Sequence, residues 1–256
     1  MKESILGQYI NKKNQNGNIT RILPLFHSCE GYNGKQIIAD GVLTTKYCKV
    51  FKEKLLYLFY GKPAYPIGEK NEKNRIDAFY CPVCFVMDPN QVAIYRAFPF
   101  DTGAFANNLY EDFMHRGMDL KCFELRNSLT DILKYVSVMF GTNANYIYGI
   151  CKQKKSDLME VQALLNMFNA NGAFHIDERA NTIEIISKKN IRLTDAIQCL
   201  ILPENLLRIK EIARYIKKNN IPYKTYKIRR LTAPERYNEV VFQLAMNYIA
   251  EKEEVE

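Results

Sequence analysis

Short apolar runs separated by polar turns dominate the first half of the chain, and apolar positions at helical spacing dominate much of the second. Leu55 to Tyr60 (Leu-Leu-Tyr-Leu-Phe-Tyr) is aliphatic and aromatic throughout, which predicts a buried strand, and Gly61-Lys62-Pro63 ends it. Ile22 to His27 predicts a shorter one. Phe79 to Met87 is a further strand candidate, interrupted early by Pro82 and stopped by Asp88-Pro89. Val92 to Phe98, Ala180 to Ile186, Ala196 to Leu202 and Tyr223 to Ile228 complete the predicted strands.

Helical spacing puts Leu129, Ile132, Leu133, Val136 and Phe140 on one face of a helix over Ser128 to Phe140. The same period aligns Leu158, Val161, Leu164, Leu165 and Phe168 within Ser156 to Asn169. Glu30 to Ala39 predicts a helix closed by Asp40-Gly41, because glycine past the last turn is a common stop. Glu204 to Asn219 and Pro234 to Glu251 predict two more, the second with proline at an allowed first-turn position and a fraying acidic tail to Glu256. Residues 67–75 and the aromatic stretch Phe98 to Phe105 predict loops. Strands and helices do not alternate regularly, so a doubly wound parallel sheet is not expected. The order predicts an α+β protein with antiparallel-rich mixed sheets and flanking helices. It consists of a polar N-terminal arm over residues 1–20, either a short helix or loose, and a single domain over 21–256.

Composition narrows this picture. With 256 residues, 47% hydrophobic and 25% charged, the chain can bury a full core. The longest apolar stretch, Ile132 to Ile150, is interrupted by Lys134, Asn143 and Asn145, so no membrane span is expected; nor is a leader, and a cytoplasmic location follows as the expectation. The net charge of +8 favours anionic partners such as nucleic acid, although the basic residues are dispersed. Seven cysteines at scattered spacing read as reduced thiols. Cys81-Pro-Val-Cys84 is a lone CxxC inside an apolar run, without the second pair that a structural zinc site needs, so no metal is expected. The phosphate-cradling glycine loops and the serine-hydrolase elbow are absent.

Three places can carry chemistry, each with a plain structural alternative. His27 ends an apolar run and precedes Ser28, where both ring nitrogens can face a cleft, or it is a satisfied core histidine. Tyr60-Gly61-Lys62-Pro63-Ala64-Tyr65 offers aromatic rings flanking a Gly-Lys turn, able to stack on a flat heterocycle while Lys62 meets a phosphate, or simply core aromatics and a turn. Glu184 lies between Ile183 and Ile185, so a strand would put it on the opposite face from both. A buried carboxylate there needs a partner or a task, and the alternative is an exposed face.

These elements, in this order, resemble the His-Tyr-Glu branch of the ADP-ribosyltransferase superfamily, and DarT-type enzymes, which modify DNA, in particular. The matching stretches are Leu25-Phe26-His27-Ser28 with Gly41, Tyr57 to Pro63, and Arg179-Ala180 through Glu184, with a further strand over Ala196 to Leu202. One departure is Lys62, where DarT-type enzymes have arginine. The resemblance implies an ADP-ribosyltransferase-like fold and NAD as the donor substrate. It implies His27 and Glu184 as catalytic residues, and His27, Ser28, Tyr57, Tyr60 and Lys62 as NAD-binding ones. Implied acceptors are DNA, RNA or a protein, in a toxin or phage-defence setting with an antitoxin-like partner. The competing readings are a catalytically inactive nucleotide- or nucleic-acid-binding protein of the same fold, and a protein-interaction module.

Overall fold

The structure, a computed structural model, describes residues 3–13, 19–65, 78–170, 177–230 and 232–253. The expected loop at 67–75 lies outside these residues, as does the tail beyond 253.

Among the described residues there are ten strands: β1 (Leu25–Glu30), β2 (Val42–Leu43), β3 (Lys46–Cys48), β4 (Glu53–Tyr60), β5 (Pro82–Met87), β6 (Arg96–Phe98), β7 (Glu184–Ser187), β8 (Ile191–Arg192), β9 (Ile197–Pro203) and β10 (Tyr223–Tyr226). Eight form one sheet in the order β10-β9-β5-β1-β4-β7-β6, with β3 added on β4, while β2 and β8 pair separately. Among the described strands only β9 and β10 run parallel. The expected antiparallel-rich sheet is therefore present, and strands from both halves of the sequence interleave in it. All six residues of β5 are buried, which is why its sequence is apolar without alternation.

The helices are α1 (Ile5–Lys13), α2 (Gly31–Asp40), α3 (Thr102–Ala106), α4 (Leu129–Met139), α5 (Asn143–Ile147), α6 (Met159–Phe168), α7 (Leu193–Ala196), α8 (Glu204–Leu207), α9 (Lys210–Lys218) and α10 (Tyr237–Glu253). Two ends were signalled locally. The Ser128 hydroxyl accepts the Asp131 amide at 3.1 Å and starts α4. Gly41, at φ 68°, ends α2 by donating its amide to the Ile37 carbonyl at 2.9 Å.

Several boundaries differ from expectation. Residues 1–20, expected as a polar arm that is a short helix or loose, hold the short helix α1, whose Leu6, Tyr9 and Ile10 are buried and which packs on α4 and α6 instead of standing apart from the domain. The strand expected from Ala180 starts only at Glu184, because Glu178–Asn181 turn as a 3-10 helix. The helix expected over Glu204 to Asn219 is broken between Leu207 and Lys210. Phe98 to Phe105 is not a plain loop: Asp101 caps α3 by accepting the Ala104 amide at 2.7 Å. One cluster of buried apolar side chains extends from Leu6 to Ile249, and a small second one gathers Leu55, Phe98 and Ile186.

Candidate functional site

The sheet divides at β1. This strand pairs with β5 along its whole length, but with β4 only at Leu25↔Tyr60 and Phe26↔Phe59. From its other end β4 pairs with β3 through Glu53–Leu55 and with β7 through Leu56–Phe59. Beyond Phe26 the two central strands diverge, and residues of β1, β3 and β4 line a cavity of about 420 Å³. Asn33 and Ile37 of α2, with Asp101 and Gly103 at the start of α3, complete its walls together with Glu184.

His27 spans the divergence, with Nδ1 2.9 Å from the Tyr57 carbonyl oxygen. A carbonyl only accepts, so Nδ1 carries the proton and the neutral ring keeps its lone pair on Nε2. Burial holds the imidazole pKa below its ordinary value; the Tyr57 hydrogen bond opposes this and the Lys46 charge reinforces it. His27 is accordingly a neutral ring at neutral pH. Ser28, next along β1, lines the same cavity and donates to Cys84 Sγ at 3.5 Å.

The two tyrosines lie on opposite faces of β4. Residues facing each other in an antiparallel ladder share a face, and so do residues two apart. Phe59 faces Glu184 and Tyr57 faces Ile186, so Tyr57 is on the face of Glu184, whereas Tyr60 is on the other. Tyr57 lines the cavity, and its hydroxyl donates to Cys48 Sγ at 2.7 Å. Tyr60 is fully buried away from the cavity, where it accepts the Leu23 amide at 3.0 Å and packs against Tyr146.

Lys62 is also elsewhere. It is only 3% exposed, and its ammonium donates to Asn181 Oδ1 at 2.8 Å and to the carbonyls of Ile147 and Tyr146 at 3.2 and 3.4 Å. Burial pulls its pKa down to about 8, with Glu178 opposing. The phosphate-gripping place assigned to Lys62 is thus taken by structural acceptors: Gly61, at φ 74°, turns the chain inward after β4.

Glu184 is 3% exposed and begins β7. Thr102 donates to its Oε2 twice, from Oγ1 at 2.7 Å and from the backbone amide at 3.3 Å. Burial, and then the neighbouring Asp101 charge, push the carboxyl pKa well above its ordinary value, while the two Thr102 bonds pull it back.

The cavity therefore gathers His27, Ser28, Tyr57 and Glu184 and leaves out Tyr60 and Lys62. It adds Asn33, Lys46, Cys48 and Asp101. Thr102 acts on it from behind Glu184. Asp101-Thr102-Gly103 has the form of a helix cap, which is the one signal that could have marked this segment in the sequence. Among the described residues that line the cavity, Lys46 is the one lysine or arginine. Among the described residues no group of three or more His, Cys, Asp or Glu side chains could hold a metal ion, and no helix is long and apolar enough to cross a membrane. Comparison with protein-family models, curated proteins and solved structures finds no match to this chain.

Proposed function

We propose that this cleft carries out glycosyl transfer, and specifically that the chain is an NAD-dependent ADP-ribosyltransferase. The observation that carries the reading is the meeting of His27, Tyr57 and Glu184 in one cavity, although His27 and Glu184 are 157 positions apart in the sequence. Cleaving the bond between nicotinamide and ribose builds positive charge on the sugar, as in glycoside cleavage. The ionised Glu184 holds a ribose hydroxyl and stabilises that charge. His27 presents the Nε2 lone pair to a hydroxyl of the adenosine ribose. Tyr57 stacks against the nicotinamide. Lys46 takes the phosphate role once given to Lys62. The acceptor then attacks the anomeric carbon as nicotinamide leaves, and Glu184 receives the acceptor's proton.

A nucleic-acid acceptor is favoured by the hairpin that borders the cleft. Lys46, Lys49, Lys52 and Lys54 are all exposed on β3, β4 and their turn, beside Tyr47 at 64% exposure. Such a mixture of cations and an aromatic face suits a single strand. The test is incubation with labelled NAD and candidate DNA, RNA and protein. Wild type should release nicotinamide and transfer label, and Glu184→Gln should lose both. No NAD loss and no transfer, with the two proteins alike, overturns the proposal.

The second reading, a nucleotide-binding protein without chemistry, is favoured by the elevated Glu184 pKa, since burial and the Asp101 charge disfavour the carboxylate form that stabilises a cation. It requires nucleotide or nucleic-acid binding that falls steeply with salt and is indifferent to Glu184→Gln.

A further inference from the structure

Glu184 lies at the first position of a four-residue strand, and its carboxyl is fixed from outside that strand. Thr102 is wholly buried and directs both of its donors at Oε2. Two donors on one oxygen fix the plane of the carboxyl and leave Oε1 with no hydrogen bond among the described residues. Thr102 is itself held. It opens α3, and the preceding Asp101 takes the Ala104 amide on Oδ1 at 2.7 Å and lies 3.4 Å from Arg179 Nη1 through Oδ2. The Asp101 amide donates to the Arg179 carbonyl at 3.1 Å. The Arg179 guanidinium is gripped by Asp177, through Nε at 2.9 Å and Nη2 at 2.7 Å. Arg179 belongs to the turn that leads into β7, so this chain of contacts anchors donor and acceptor to each other.

From this geometry we infer that Thr102 is the positioning residue for Glu184, aiming Oε1 into the cleft, and that Asp101 holds Thr102 in place while setting an opposing charge. The kinetic half of this inference rests on the glycosyl-transfer reading, and the structural half does not. The groups around the Glu184 carboxyl are Asp101 at the α3 cap, Cys48 on β3, Tyr57 on β4 and Tyr110 after α3, with Arg179 behind Asp101. Donors from Thr102 favour the carboxylate, and the Asp101 charge disfavours it. Removing one or the other must therefore move the titration of Glu184 in opposite directions. A merely structural disturbance has no reason to do so.

The experiment uses the full chain with ¹³C-labelled glutamate, the Glu184 carboxyl signal being assigned by its loss in Glu184→Gln. Thr102→Val is close to isosteric and removes the hydroxyl; it should make Glu184 titrate at higher pH. Thr102→Ser should restore the wild-type titration. Asp101→Asn keeps a competent cap and should make Glu184 titrate at lower pH. In parallel, NAD cleavage by Thr102→Val should fall about ten- to a hundredfold in kcat, with KM changed less than about twofold and the acidic limb of its pH profile moved upward. Should Thr102→Val not fold, Thr102→Ala provides the same titration. A Glu184 titration unchanged by loss of the hydroxyl, or moved in the same direction by both substitutions, overturns the inference. If wild type cleaves no NAD, the transferase reading fails while the titrations still decide the role of Thr102.

Discussion

The buried cation in this protein is a structural one. Lys62 was attractive in the sequence because it follows an aromatic strand, yet its ammonium is spent on Asn181 and two carbonyls. Removing the ammonium leaves these acceptors unpaired in the interior. Lys62→Met should accordingly lose about 2 kcal/mol of stability in urea titrations, the unpaired acceptors outweighing the relief of burying a charge. The sign of the pH effect follows from the depressed pKa. Between about 8 and the ordinary lysine value near 10.5, the folded protein has released a proton that the unfolded chain still binds. Stability therefore gains a contribution as pH rises through that window, and the destabilising cost of the charge is fully present below it. In Lys62→Met this component of the slope should vanish; an identical slope in the two proteins would show that the ammonium is not desolvated.

At the scale of elements, what could be read from the sequence was what depends on neighbours in the chain. The apolar run of β4, the Ser128 cap of α4 and the Gly41 stop of α2 are local signals, and each element stands close to its expected place. Short elements without their own period were not legible. β2 has two residues and pairs with β8, far away in sequence, while β3 has only three and pairs with the adjacent β4. The run of β4 from Leu55 to Tyr60 is apolar throughout, so its parity was hidden, and which face Glu184 shares depends on the register of β4 with β7, which no local pattern encodes. The cap at Asp101 was hidden by the aromatic residues around it: the stretch reads as a loop, while Phe100 is buried and stacks on Phe105. The β3–β4 hairpin carries its own prediction. Lys49→Glu with Lys52→Glu lies at the turn, outside the cavity lining, and should weaken nucleic-acid binding while lowering the salt slope by about 2. Fluorescence anisotropy across a salt series measures this, and an unchanged slope would remove the hairpin from the acceptor path.

For the molecule as a whole, the sheet interleaves strands from the two ends of the sequence, and one apolar cluster reaches from Leu6 to Ile249. A single core was the expectation from length and composition; what length and composition could not give was the strand order that places residues 27 and 184 in one cleft. Unfolding should follow from this interleaving as one cooperative transition. Calorimetric and van't Hoff enthalpies should agree, and circular dichroism should track tyrosine fluorescence, the chain having no tryptophan. Two separated transitions would mean that the halves fold on their own.

The parting of β1 from β4 can finally be viewed as a seam. On one side stand β10, β9, β5 and β1, and on the other β4, β3, β7 and β6, stitched at only two residue pairs with the His27 ring as an added strut. Anything gripped by His27 and Glu184 together acts as a rivet across this seam. Its binding energy is then added where the sheet has the fewest hydrogen bonds of its own, so occupancy of the cleft and stiffness of the sheet are one equilibrium.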